Sequence, residues 1–255
     1  MRTRKRFGQN FLHDQNLICK IADTINPQSD QHVLEIGPGH GALTRLLVAS
    51  DCHLDVIEID RDLAAELRLT IPQLNVIEAD ILDFDFTQLP TDQRLRVVGN
   101  LPYNISTPLI FKLFENLDNI QDMHFMLQLE VVNRITADPS TPDYGRLSVM
   151  SQYCCQADKL FAVPPDAFVP RPKVTSAIVR LRPKESREEA TDLKLFEKIV
   201  AQAFSMRRKT IRNSLKGFID DSDFLALDLD QKSRAENLTL QNYIDIANYS
   251  TKQAS

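Results

Sequence analysis

The sequence predicts an α/β fold, a seven-stranded and mostly parallel sheet over residues 1–184 followed by a small helical domain over 185–255. Three observations carry that expectation. From residue 32 onward, short β-branched apolar runs alternate with amphipathic stretches, the pattern of successive βαβ units. The first such run leads directly into a glycine-rich turn, Gly37-Pro38-Gly39-His40-Gly41. After Pro183 the chain becomes charged and strand-free, and beyond it only helical periodicity remains.

Taken in order, His32 to Ile36 reads as the first strand and Ala42 to Ala49 as its helix, with Leu43, Leu46 and Leu47 on one face. Leu54 to Ile59 is the second strand, and Asp62 to Leu69 the helix behind it. Asn75 to Ala79 and Leu95 to Val98 are the third and fourth. Thr107 has the chemistry of an N-cap and Pro108 that of a first helical residue, opening a helix to about Leu117. Met123 to Leu127 is the fifth strand, Glu130 to Ala137 a helix, and Leu147 to Cys154 and Ala177 to Leu181 the last two strands. The segment KESREEATD is a linker, followed by helices at Leu193 to Phe204, Thr210 to Phe218 and Leu238 to Ala247.

Composition excludes several classes. No apolar run approaches the roughly 20 residues that span a bilayer, and the basic N-terminus lacks the apolar stretch of a signal peptide. Cys19, Cys52, Cys154 and Cys155 have no metal-ligand spacing, so buried reduced thiols and a cytoplasmic location are expected. His13, His32, His40, His53 and His124 form no cluster along the chain, and no metal site is expected. Net charge is −5, yet three windows contain no acid: residues 1–13, 167–184 and 204–217. They carry +14 between them, which leaves −19 for the rest and points to a polyanion partner.

Glycines 37, 39 and 41 allow a tight turn and close approach of backbone to a ligand. Glu58 lies 21 residues past Gly37 at the end of the second strand, where a carboxylate can accept both hydrogen bonds of a ribose diol. The spacing Gly-x-Gly-x-Gly departs from the dinucleotide fingerprint, so a nucleoside without phosphates is the better ligand. Asp80, after the third strand, can accept from an adenine amine. The fourth strand ends in Asn100-Leu101-Pro102-Tyr103, a form of the motif that amino methyltransferases use. The Asn100 side-chain oxygen and the Leu101 carbonyl can hold the two hydrogens of an exocyclic amine and free its lone pair. Pro102 stiffens the turn, and Tyr103 offers a ring on which a flipped-out base stacks.

Four stretches, Arg6 to Leu12 (RFGQNFL), Glu35 to Gly41 (EIGPGHG), Asn100 to Pro108 (NLPYNISTP) and Ala167 to Leu181 (AFVPRPKVTSAIVRL), resemble the ribosomal RNA adenine dimethyltransferase family, and the likeness runs from about Lys5 to the C-terminal helices. The resemblance implies a Rossmann-like class I methyltransferase fold, S-adenosylmethionine as methyl donor and S-adenosylhomocysteine as product. It implies that Gln9, Asn10 and Leu12 fold over the methionine end of the cofactor, and that Phe168 caps the target base opposite Tyr103. The implied substrate is 16S rRNA in a small-subunit assembly intermediate, dimethylated at adenine N6 by a monomer. The stretch FSMRRKTIRN resembles the family's small-domain helix. There Arg208 and Lys209 each lie about one turn from Arg212, and with Arg207 they suit phosphate contacts. A large-subunit rRNA methyltransferase conferring antibiotic resistance and a non-catalytic rRNA-binding assembly factor are the alternatives.

Overall fold

The computed structural model describes residues 10–89, 93–185, 189–206 and 208–254, so the expectations for Gln9, Arg207 and the N-terminal cations lie outside the described residues. The chain begins with a short strand β1 (Phe11–Leu12) and helix α1 (Gln15–Ile25), which the sequence reading does not anticipate. Asp14 caps α1 by accepting from the Leu17 amide at 3.1 Å, and Ile18, Ile21 and Ile25 form its buried stripe. There follow β2 (His32–Ile36), α2 (Thr44–Val48), β3 (His53–Glu58), α3 (Arg61–Thr70), β4 (Asn75–Glu78) and β5 (Leu95–Asn100). Next come α4 (Ser106–Phe114), β6 (Ile120–Gln128), α5 (Leu129–Ile135), α6 (Arg146–Cys154), β7 (Cys155–Val163), β8 (Phe168–Val169) and β9 (Ser176–Pro183). The C-terminal helices are α7 (Leu193–Ser205), α8 (Ile211–Ser214), α9 (Asp221–Ala226) and α10 (Leu240–Ala254).

Seven strands make one sheet in the order β4-β3-β2-β5-β6-β9-β7. The β2–β3, β3–β4, β2–β5 and β5–β6 pairs are parallel, and β6–β9 is antiparallel. Every residue of β2 is buried, as expected for a parallel strand covered on both faces. The order runs outward in opposite directions from β2 and β5, which makes their carboxyl ends the topological switch point where open sheets take ligands. Gly99 permits that junction: a Cβ there would come within 2.5 Å of the Ile36 carbonyl oxygen across the β2–β5 pair.

Several elements differ from expectation. Residues 146–154 are a helix, and the seventh strand is Cys155–Val163. LSVMSQYC is buried on nearly every side, so it has no exposed face to reveal its period, and apolar content alone does not separate such a helix from a buried strand. β7 is an edge strand whose two terminal residues are buried while those between are exposed or half-buried without strict alternation, which hides it from a period-2 reading. Helix α4 begins at Ser106, with Thr107 and Pro108 inside its first turn. The Pro102 carbonyl, accepting from the Ile105 amide at 3.1 Å and the Ser106 hydroxyl at 3.0 Å, organises that start in place of a Thr107 cap. The helix expected at Thr210 to Phe218 reduces to α8, because Gly217 sits at φ +95 and Thr210 bridges to Arg234. Cys154 and Cys155 are buried, whereas Cys19 is exposed on α1.

The chain divides into two compact units, one made of residues up to 132 with 158–183, the other of 133–157 with 184–255. This division differs from the break expected near 185 in residues 133–157, which group with the C-terminal helices. Their aromatic residues explain the regrouping. Tyr144 stands 6.1 Å from Phe204 and Tyr153 stands 4.5 Å from Phe196 (ring centroids), while Phe204 meets Tyr243 at 5.8 Å. These rings are the interior of the second unit, and the Tyr243 hydroxyl is satisfied by donating to the Ala235 carbonyl at 2.7 Å.

Candidate active site

The glycine-rich turn after β2 is held open by its own backbone. Gly37, Gly39 and Gly41 adopt φ of +67, +59 and +75, which side-chain-bearing residues rarely take. The Gly37 amide donates to the Ile57 carbonyl and the Gly41 amide to the Pro38 carbonyl, each at 2.9 Å, and the Arg45 guanidinium donates to the carbonyls of His40 and Gly41. Phe11 of β1 lies over this turn, its ring 4.5 Å from that of His40 and 3.0 Å from where a Cβ on Gly39 would stand. β1 is itself anchored by antiparallel pairing with β8, where Leu12 faces Phe168.

A cavity of about 360 Å³ opens at the carboxyl ends of β2, β3, β4 and β5. It is lined by Asn10, Leu12, Gly37, Gly39, Glu58, Asp80, Asn100, Leu101, Pro102 and Tyr103, so ten of the sequence-predicted residues converge there. Gly41 is not in the lining; it closes the turn, where a Cβ would meet Leu67 at 2.9 Å. Phe168 is also absent from the lining, since its side chain is buried in the core together with Leu12 and Leu17. Arg208, Lys209 and Arg212 belong to the second unit.

Four polar groups of the cavity, Glu58, Asp80, Asn100 and Tyr103, are fixed by hydrogen bonds. Glu58 is buried, and its two oxygens accept separately, Oε2 from the Gly39 amide at 3.1 Å and Oε1 from the Asp60 amide at 2.9 Å. Each oxygen keeps a second lone pair for a diol. Burial raises the Glu58 pKa, against the pull of those two amides. Asp80 Oδ1 accepts from the Leu82 amide at 2.9 Å, which fixes the carboxylate at the end of β4. Asn100 Nδ2 donates to the Asn10 carbonyl at 2.9 Å, so the other end of the amide, Oδ1, is the acceptor left to the cavity. The Tyr103 hydroxyl and Ser176 Oγ share a hydrogen bond of 3.0 Å that holds the ring in place.

Two groups escaped the sequence reading. Glu35 lines the cavity from within β2, and burial, followed by the neighbouring Glu58 charge, pushes its carboxyl up to about 7 against the lowering influence of the Thr44 hydroxyl. Glu35 Oε2 and Thr44 Oγ1 are both buried without a hydrogen bond. His124 lines the cavity from β6, its Nδ1 3.5 Å from Asp122 Oδ1. Asp122 in turn takes the buried Arg96 guanidinium at 2.8 Å. The sequence reading gives neither residue a role, because each stands inside a strand between apolar neighbours.

The arrangement suits an adenosine-bearing, positively charged ligand. It offers diol acceptors on β3, an amine acceptor on β4, buried carboxylates without a cation among their hydrogen-bond partners, and a glycine turn that admits close approach. Facing these is a fixed amide acceptor beside an aromatic ring.

A family model described as "Ribosomal RNA adenine dimethylase" matches residues 1–252. The chain is 54% identical over 251 residues to the "Ribosomal RNA small subunit methyltransferase A" of Acinetobacter baylyi, covering 96% of this chain and 92% of that protein. Among solved structures, a dimethyladenosine transferase from Plasmodium falciparum superimposes with a TM-score of 0.83 at 26% identity, covering 96% of this chain and 98% of that one. The 23S rRNA methyltransferase ErmE superimposes with a TM-score of 0.73 at 28% identity, covering 95% and 100%.

Proposed function

Because the chain belongs to the ribosomal RNA adenine dimethylase family, we propose that it transfers methyl groups from S-adenosylmethionine to N6 of adenines in 16S rRNA. Two methyls go to each of two adjacent adenines in a small-subunit assembly intermediate, and the enzyme acts as a cytoplasmic monomer. The observation that carries the chemistry is the Asn100 amide, which lines the cavity and whose Nδ2 is committed to the Asn10 carbonyl, leaving Oδ1 as its free acceptor. The small-subunit target rests on the 54% identity to a small-subunit enzyme, against 28% to the 23S enzyme.

Bound S-adenosylmethionine supplies an electrophilic methyl on a sulfonium. Glu58 receives the ribose diol, Asp80 the adenine amine, and Asn10 and Leu12 close over the methionine end. Asn100 Oδ1 and the Leu101 carbonyl accept from the two hydrogens of the target N6, drawing its lone pair out of conjugation with the ring. Tyr103 stacks on the flipped base. Phe168, buried behind Leu12 here, serves as the cap on the opposite face only by turning toward the cavity. The proton displaced from N6 leaves to solvent, since the methylated nitrogen is acidic. Among the described residues no helix is long and apolar enough to cross a membrane.

Transfer of labelled methyl groups to unmethylated small subunits tests this reading. Glu58→Ala should weaken cofactor binding about tenfold or more in calorimetry, the cost of one hydrogen bond to a charged group. Asn100→Ala should keep cofactor affinity within a few-fold while turnover falls by about 10²–10³, the usual cost of one preorganised partner at a reacting centre. Near-normal turnover by Asn100→Ala would remove the amide from the chemistry.

A further inference from the structure

At the amino-terminal ends of the strands, opposite the cavity, three polar side chains converge on one face of the sheet. His32 opens β2 and His53 opens β3, in direct register. Asp55 follows two residues later on the same face as His53, and it faces Asn75 across the β3–β4 pair. The two imidazoles meet edge to face at 4.3 Å. His32 Nε2 lies 2.8 Å from Asp55 Oδ2, and His53 Nε2 lies 3.8 Å from Asp55 Oδ1. The three ligand atoms fall within 4.8 Å of one another.

We propose that His32, His53 and Asp55 form a binding site for a divalent transition metal of the zinc class, separate from the methyl-transfer cavity. Metal bonds of about 2.0–2.2 Å place the ligand atoms of a tetrahedral centre roughly 3.3 Å apart. The observed 2.8 and 3.8 Å run to the two oxygens of one carboxylate and straddle that separation, and ligand atoms within 4.8 Å of one another close to it when the exposed His53 imidazole turns inward. His53, with 61% of its side chain exposed, has room to move and leaves the fourth position to water. Asn75 Nδ2 donates to Asp55 Oδ1 at 2.7 Å and orients the carboxylate, as partners of metal ligands commonly do. Two imidazoles with one carboxylate favour zinc, nickel or cobalt over magnesium or calcium, which prefer all-oxygen sites. An ion there ties β2 to β3 where they emerge from separate loops, and so adds to stability without entering the methyl transfer.

The test is a titration of chelator-stripped protein with zinc chloride, comparing wild type with His53→Ala, whose exposed side chain can be removed without opening the core. One zinc per chain is expected in the wild type, with affinity at least tenfold lower in His53→Ala. A zinc-dependent rise in melting temperature should appear in the wild type and vanish in the variant, and both proteins should methylate equally. Cobalt substitution should give the visible spectrum of a nitrogen–oxygen site. Identical zinc isotherms for the two proteins, no binding by either, or a near-ultraviolet thiolate band from Cys19 or Cys52 would each overturn the site and leave the cluster as a hydrogen-bond network.

Discussion

Glu35 shows how one buried group makes stability depend on pH. Its carboxyl titrates near 4.5 in an unfolded chain and about 7 in the fold, so the native state holds the proton more tightly. Stability from that protonation is complete below pH 4.5 and is lost as the pH rises through about 7, a change of roughly 3 kcal/mol at most. Melting of the ligand-free protein between pH 5 and 8 should show this decline, and Glu35→Gln should flatten it. An unchanged pH profile in the variant would assign the decline to other groups. A cationic ligand in the cavity favours the ionised carboxyl, so the cofactor should recover part of the stability lost at pH 8. Glu58 is legible in the sequence because it ends a strand at a recognisable distance from a glycine turn. Glu35 is not, because nothing in a list of residues marks which acid inside an apolar strand will lack a partner.

At the scale of the element, the cation stripe is the expectation most altered by structure. Arg208 and Lys209 lie in the turn between α7 and α8, and only Arg212 is helical. They therefore do not form a stripe on one helix. Arg212 is also claimed by α9: its Nε donates to Asp221 Oδ1 at 2.7 Å and its Nη2 to Asp221 Oδ2. Asp221 is the first residue of that helix, and Asp220 before it accepts from the amides of Ser222 and Asp223. If RNA docks on these cations, Asp221→Asn should tighten binding and steepen its salt dependence by about 0.7–0.9 in log–log slope, as one masked phosphate contact is released. Arg212→Ala alone should cost less affinity than loss of Arg208 and Lys209. The reverse ranking, read from RNA titrations at several salt concentrations, would place the contact on the helix after all.

For the whole molecule, net charge and partner are reconciled by distribution. The chain carries −5 overall, and its basic residues concentrate in acid-free windows that lie in both units. Phosphate contacts position an RNA and the cavity selects the base, so the two functions should fail separately. Neutralising Arg207, Arg208, Lys209 and Arg212 should raise the RNA concentration needed for half-maximal methylation while leaving the maximal rate near wild type. Asn100→Ala should do the opposite. Loss of maximal rate in the charge variant, with cofactor affinity intact, would mean that the cations align the adenine as well as hold the strand.

What the sequence determined by itself is the carboxyl edge of the sheet and most of the residues that gather around the cavity there. Glycines 37, 39 and 41, Glu58, Asp80 and Asn100 to Tyr103 each sit at the end of a strand, and strand ends are written in local pattern: an apolar run, then a residue that cannot continue it. Parallel pairing then carries those ends to one edge without further information. Tertiary structure alone decided what depends on which surfaces meet. Residues 146–154 became a helix because they are buried all round and have no polar face to declare a period. Residues 133–157 joined the C-terminal unit because Tyr144 and Tyr153 found Phe204 and Phe196 there. Phe168 turned into the core, and His32 met His53 across a strand pair that a separation of 21 positions conceals. Such contacts are decided by packing complementarity between segments distant in sequence, and no local period records them.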